Sequence, residues 1–245
     1  MDRLLRATAR AERDHFWFRG FRRFVEPLVA QATAGHRPRI LDCGCGTGHN
    51  LVMLGRHGTA YGIDLTWAGL QYARGAGQKS IARATVARLP FEDARFGLVT
   101  SFDVLYALPD DVERDAIREM FRVLEPGGTA IVNVAALEAL KGNHSVLSAE
   151  IRRYSRRDLT RKLESAGFRV ARATYTNFSI LPLVAAVRFR QRLGGSHVET
   201  EEEIKVPPAP VNAALSALLA AEATALRAVN LPIGSSLLAV AVKPS

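Results

Sequence analysis

Cysteine is nearly absent: the chain carries two in 245 residues, Cys43 and Cys45. Two thiols cannot build a disulfide framework, and a bridge across so short a loop would force poor geometry, so both are expected to be reduced. Long apolar runs are missing as well; without eighteen consecutive apolar residues no membrane-spanning helix is expected. The opening segment MDRLLRATARAERDHFWF lacks the apolar centre of a signal peptide, which predicts a cytoplasmic protein. No internal repeat is visible. The biased segment VETEEEIKVPPAP reads as a solvated loop, with an acidic partner-binding motif as its alternative.

What the chain does have is length, apolar residues and positive charge. With 48% of its residues apolar it can bury a sizeable core, and 245 residues fit one decorated α/β domain. The excess of 33 Lys+Arg over 24 Asp+Glu gives a net charge of +9, which permits an anionic partner. The basic residues fall in separate clusters, at 19–23, 152–162 and 188–192, the pattern of solvated helix faces more than of one nucleic-acid stripe. Segment 180–193, apolar and arginine-bearing, leaves peripheral membrane contact as a rival to a packed cap helix.

Short apolar runs at 39–43, 60–64, 81–87, 98–103 and 129–135 predict buried parallel strands. Helices are predicted between them over 50–56, 67–76 and 112–123, the last stopped by Glu125-Pro126-Gly127-Gly128. Ser155 can cap a further helix, with Asp158 favouring its positive end and Gly167 closing it. Strands at 168–176 and 236–242 complete a doubly wound, Rossmann-like α/β fold: a mostly parallel seven-stranded sheet with helices on both faces. Between the last two strands, residues 178–232 hold two apolar helical segments, 180–193 and 211–230, joined by an acidic, proline-rich linker at 198–210. This insertion is expected to roof a ligand site, outside a core made of 36–177 and 233–245.

The stretch ILDCGCGTGHN places Gly44, Gly46 and Gly48 at every second position after a strand, with a helix following. Such a turn brings backbone N–H groups and the positive end of a helix toward a ligand. The spacing is not the Gly-x-Gly-x-x-Gly of dinucleotide binders, and the lysine of a Walker loop is absent. The cysteines fill the x positions and no second Cys or His pair stands at zinc spacing, so no metal is expected. Asp64 ends the next strand in AYGIDLT, where a carboxylate can accept both ribose hydroxyls of a nucleoside ligand.

With these residues in place the sequence resembles the class I S-adenosylmethionine-dependent methyltransferases, of the small-molecule, type 11-like kind. The matching segments are ILDCGCGTGHNL, YGIDLT, ARLPFEDARFGLVTSFDVLYAL and FRVLEPGGTAIVNV, spanning roughly 38–134 in the expected order. The resemblance implies S-adenosyl-L-methionine as cofactor, S-adenosyl-L-homocysteine as product and a small-molecule acceptor. It implies that Asp42 organises the loop near the methionine amino group and that Gly44 and Gly46 admit the cofactor to the backbone. Asn50 would lie at the same loop, Asp64 would hold the ribose and Leu65 would pack on the adenine. Thr85 replaces the usual adenine-binding Asp, so Thr85, Val86 and Ala87 offer backbone and hydroxyl contacts only. Phe102 and Asp103 would face the methionine end. Tyr106 and Ala107 replace a common Glu-His pair, and Gly97 stands where Asp is usual. The flanks HFWFRGFRR and His144-x9-Tyr154 resemble a narrower subgroup in which the N-terminal helix, here within 1–35, lies over the cofactor. That implies a lid carrying Trp17, Arg19 and Arg22; the alternative is an amphipathic helix packed on the sheet.

A methyl acceptor that must lose a proton is helped by a general base, and the loop after the fifth strand is where one should project. His144, Glu150 and Tyr154 are the titratable candidates there, with His15 able to reach in from the lid. Each has a structural alternative: His144 as a solvated or capping residue, Glu150 as the ion-pair partner of Arg153, Tyr154 as core. Two rival functions remain. One is a methyltransferase fold that binds the cofactor without transferring methyl. The other is an RNA or DNA methyltransferase, although no Asn-Pro-Pro-aromatic motif follows the fourth strand.

Overall fold

A computed structural model describes residues 2–141, 149–194 and 204–245 of the chain. Its centre is a seven-stranded sheet: β1 (Arg39–Cys43), β2 (Thr59–Asp64), β3 (Ile81–Arg83), β4 (Phe96–Phe102), β5 (Leu124–Ala135), β6 (Arg169–Thr176) and β7 (Ser236–Val242). The order is β3-β2-β1-β4-β5-β7-β6, parallel except for β7, which runs antiparallel to both neighbours. The helices are α1 (Asp2–Ala11), α2 (Phe16–Ala32), α3 (His49–Leu54), α4 (Trp67–Gly75), α5 (Asp110–Val123), α6 (Arg156–Ser165), α7 (Leu181–Gly194) and α8 (Ala209–Ala225).

The strands are apolar in unbroken runs because both faces are covered, and their two-residue period divides the core. Ile40, Leu98, Ile131 and Leu238 face one side, under Phe24, Val25 and Val29 of α2 and Leu51 and Leu54 of α3. Their neighbours Leu41, Val99, Val132 and Leu237 face the other, under Ile117 and Met120 of α5 and Leu159 and Leu163 of α6. Cys43 belongs to the second side and Cys45 to the first, so the two thiols pack on opposite faces of the sheet. Burial pushes both thiols up, away from the reactive thiolate.

Ser155 caps α6 by accepting the Asp158 N–H, and Gly167, at φ 103°, closes it. Two strands differ most from expectation. β5 begins five residues early because Gly127 and Gly128 pair with Lys243, extending the ladder through a segment that reads as a helix stop. β3 ends at Arg83, and Thr85 Oγ1 then accepts the Ala87 N–H at 3.3 Å and turns the chain.

The two helices of the insertion separate. α8 lies beside α2 in the layer that covers the first face, with Leu219 against Gly20. The Asn212 amide on α8 accepts the Phe16 N–H at 2.8 Å and donates to the Asp14 carbonyl at 2.9 Å, fixing the start of α2. α7 instead runs beside the short 3-10 turn Glu138–Leu140 that follows β5. Its start is anchored by the buried Glu222 carboxylate of α8, which accepts from Phe178 N, Ser179 N and Ser179 Oγ. Leu219 is buried, whereas the equally apolar Leu183, Val187 and Leu218 remain exposed. Among the described residues no helix is long and apolar enough to cross a membrane.

Candidate functional site

The sheet order reverses between β1 and β4, and crevices of open α/β sheets lie at the carboxyl ends of strands beside such a reversal. The glycine loop follows β1 there, and it is tied down from the β2 side. Gly44 and Cys45 both donate their N–H to the Ile63 carbonyl at 2.8 Å, and the Gly46 N–H goes to Asp64 Oδ2 at 2.8 Å. These three donors therefore turn onto β2. Gly44 and Gly46 also differ in purpose. At Gly44, φ is 89° and an added Cβ would lie 2.3 Å from Val104 Cγ2, so the missing side chain makes room for the segment after β4. At Gly46, φ is 49° and an added Cβ would meet nothing within 4 Å. Only Gly46 opens onto free space.

Asp64 is half-buried and holds the loop from both oxygens: Oδ1 accepts from Thr66 N at 2.7 Å and Thr66 Oγ1 at 2.5 Å, Oδ2 from Gly46. Asp42 is buried, with Thr100 Oγ1 donating to Oδ1 at 2.7 Å while Oδ2 has no partner among the described residues. Burial, reinforced by the Asp64 charge and opposed by the Thr100 bond, raises Asp42 to about 7. A buried oxygen without a donor is costly, so this lone pair suits an incoming N–H or ammonium.

The remaining residues of the predicted cofactor set surround this loop to different degrees. Leu65 and Thr85 are exposed, and Val86 and Ala87 are half-buried on the turn after β3. Asn50 is half-buried on α3. Phe102 is buried edge-to-face against Phe21 of α2, 5.1 Å between ring centroids. Trp17 packs against the same cluster, and Arg19 is exposed. The turn between α1 and α2 reaches the loop through Glu12, whose carboxylate accepts from Thr47 Oγ1 at 2.6 Å, a link the sequence did not signal. Arg22 donates to the Glu12 carbonyl at 2.7 Å. His15 caps α2 by accepting the Trp17 N–H, and burial lowers it to about 4, so it is neutral and occupied.

Asp103 follows β4 directly, at φ 60°. It is mounted on Asn133 of β5: the Asn133 carbonyl accepts the Asp103 N–H at 3.0 Å, and Asn133 Nδ2 donates to Asp103 Oδ1 at 2.9 Å. Asn133 escaped sequence reasoning, although an amide inside the apolar run IVNVA was its signal. Of the base candidates, His144 lies outside the described residues. Glu150 is held by Arg153, whose Nε and Nη2 donate to its two oxygens at 2.5 and 3.1 Å. Tyr154 is enclosed in the core with its hydroxyl donating to Glu113 at 2.7 Å, and burial and that carboxylate push its ionisation far up. That is the core position offered as its alternative. Two cavities, about 580 and 610 Å³, lie elsewhere, in grooves around α2, the end of α8 and the β5–β7–β6 face, lined by Arg23, Arg172 and Arg227. No residue of the glycine loop touches them.

Residues 41–132 match the family described as a methyltransferase domain. A Mycolicibacterium smegmatis protein named as a probable S-adenosylmethionine-dependent methyltransferase is 28% identical over 86% of this chain and 80% of its own. The O-methyltransferase resE of Aspergillus sclerotiorum is 29% identical over 66% of each chain. Among solved structures, the complex of the Haloferax volcanii Trm112 methyltransferase activator with its methyltransferase aligns over 98% of both chains, with a TM-score of 0.61 at 21% identity. That last likeness shows the shared fold; the matched segment, from the glycine loop through β5, holds the orphaned Asp42 oxygen and the open face of Gly46. Residues 41–132 therefore form a methyltransferase domain of the class I, S-adenosylmethionine-dependent kind, with S-adenosyl-L-methionine as its cofactor.

Proposed function

We propose that the chain methylates an oxygen, nitrogen or carbon nucleophile of a small-molecule acceptor in the cytoplasm. The observation that supports a small acceptor over a nucleic acid is where the basic cluster at 152–162 points. Arg152 and Lys162 bind Glu113, and Arg153 binds Glu150, so these cations face carboxylates inside the protein instead of phosphates outside it. The cofactor supplies an electrophilic methyl group on sulfur; the protein supplies position and the exclusion of water. Asp42 Oδ2 would accept from the ammonium of the methionine end, and Gly46 would leave room for the cofactor's body. Asp64 would add the ribose hydroxyls to its present donors, and Leu65 would cover the adenine beside Thr85, Val86 and Ala87. The α1–α2 segment with Trp17 and Arg19, tied to the loop by Glu12, would close over it, and α7 would roof the acceptor.

Gly46→Val should therefore weaken S-adenosylhomocysteine binding at least thirtyfold, because its side chain fills the open space. Left-handed backbone costs a branched residue about 1–2 kcal/mol of stability in addition. Calorimetry with a parallel melt separates the two; affinity within threefold of wild type would remove Gly46 from the site. The function itself is tested by following S-adenosylhomocysteine release over a panel of hydroxylated and amino metabolites, with RNA and DNA as controls. Release with RNA or DNA alone would move the acceptor to nucleic acid. Tight cofactor binding with no release from any acceptor would favour the binding-only reading.

The similarity to a methyltransferase solved with an activator supports a second reading, a protein partner. The short edge strand β3 and the exposed Trp67 and Tyr72 of α4 offer a face for one. Turnover by the purified chain alone would rule out a required activator.

A further inference from the structure

We propose that Asp103 takes the proton from the acceptor, and that the acceptor is a hydroxyl compound, a phenol or an alcohol, rather than an amine. This rests on the methyl-transfer reading above. A neutral amine attacks with its lone pair and can shed its proton afterwards to water. A hydroxyl is a poor nucleophile until its proton leaves, so it gains most from a fixed base.

The geometry singles out Asp103 in three ways. It directly follows β4, the strand next to β1, and the next residue, Val104, packs into the space left at Gly44, so its backbone is keyed to the glycine loop. Its orientation is fixed twice by Asn133, through backbone and side chain, which leaves Oδ2 without a partner among the described residues. The residue is exposed, so water or an acceptor can reach it.

The charged groups acting on it are few. Glu150 lies near enough to disfavour a second negative charge, and Arg153 is committed to Glu150 and to the Ala136 carbonyl at 2.9 Å. The segment carrying that pair is clamped in place, since Ile151 and Arg152 both donate their N–H to the Tyr106 carbonyl. Surrounding protein, first, and Glu150, second, raise the Asp103 pKa toward 7 against the opposing Asn133 bond. That upward direction brings the carboxylate toward the strength a base needs near neutral pH.

The step balances without a further reagent. The acceptor oxygen forms a bond to the methyl carbon, the carbon–sulfur bond breaks with its electron pair left on sulfur, and the hydroxyl proton moves to Asp103 Oδ2. Water later removes that proton.

The full chain carrying Asp103→Asn tests this, with phenols and primary alcohols as probes beside the matching anilines and alkylamines. Two readouts are needed. Carboxyl-carbon NMR of the S-adenosylhomocysteine-bound protein should show a resonance titrating well above the usual aspartate range that disappears in the variant. Turnover of hydroxyl probes at saturating S-adenosylmethionine should fall at least a hundredfold in Asp103→Asn, and the acidic limb of the pH–rate profile should be lost. An Asp103 carboxyl titrating near 4, or hydroxyl turnover within threefold of wild type, would overturn the proposal. So would loss of the acidic limb in His144→Ala with its retention in Asp103→Asn. A wild-type protein that methylates amines but no hydroxyl probe also overturns it. Release from no probe of either kind, with the titration present, counts against the methyl-transfer reading instead.

Discussion

Glu113→Ala should lower the unfolding free energy by about 3 kcal/mol, the low end of the range for removing one member of a buried ion pair, since Arg152 keeps Asp110 as a second partner. Glu113 has no exposed surface, and three groups converge on it: Arg152 Nη1 at 2.5 Å, Lys162 Nζ at 2.6 Å and Tyr154 Oη at 2.7 Å. Glu113 belongs to α5, Arg152 and Tyr154 to the segment ahead of α6 and Lys162 to α6, so one carboxylate fastens the second helical layer. Urea denaturation at neutral pH measures the effect, and a loss under about 1 kcal/mol would show that the cluster is solvated in solution. Tyr154→Phe, which deletes one hydrogen bond to a charged group, should cost about 1.5–3 kcal/mol. It should leave the chemical step unchanged; a hundredfold fall in turnover with the fold intact would restore Tyr154 to the base candidates.

The second large effect is expected at Asp64. Asp64→Ala should weaken S-adenosylmethionine binding by about 2–4 kcal/mol, roughly 30- to 1000-fold, through the loss of charge-assisted bonds to the ribose. The structure adds a reason for the upper half of that range. The same carboxylate accepts the Gly46 N–H, so its removal also loosens the loop that shapes the site. Asp64→Asn separates the contributions: its amide oxygen can keep the Gly46 bond while the negative charge is gone, and it should fall between wild type and alanine. Equal affinities for wild type and alanine by calorimetry would remove Asp64 from the cofactor site.

These two carboxylates illustrate what a single sequence discloses. Asp64 was legible because its position after a glycine turn and a second strand repeats a known geometry, one that depends on local chain order. Glu113 was not, since its partners lie 39 to 49 residues away and each reads alone as an ordinary helix-surface charge. The strands β1 and β7 could be placed to the residue, for continuous apolar runs bounded by polar neighbours leave little choice of register. β5 could not, because its extension at Gly127 and Gly128 is decided by a strand at the other end of the chain. In the insertion, apolar spacing marks helices that bury a face, while the surface that α8 meets is decided by α2. Asp103 was visible as a strand-end residue, but its mounting needed Asn133, whose register against β4 only the assembled sheet provides.

The pairing of α2 with α8 sets a timetable for biosynthesis. The first helices leave the ribosome early, yet the surface that fixes their start, Asn212 and Leu219, is translated nearly two hundred residues later. β7, the strand that slots between β5 and β6, arrives later still. Until then Phe16, Trp17 and Phe21 have no complete partner surface, and closing contacts across so long a loop is slow. The nascent protein must therefore keep an aromatic-rich segment from sticking to its neighbours for most of its synthesis, which makes chaperone binding near residues 16–21 the feature to look for in a pulse-labelled translation.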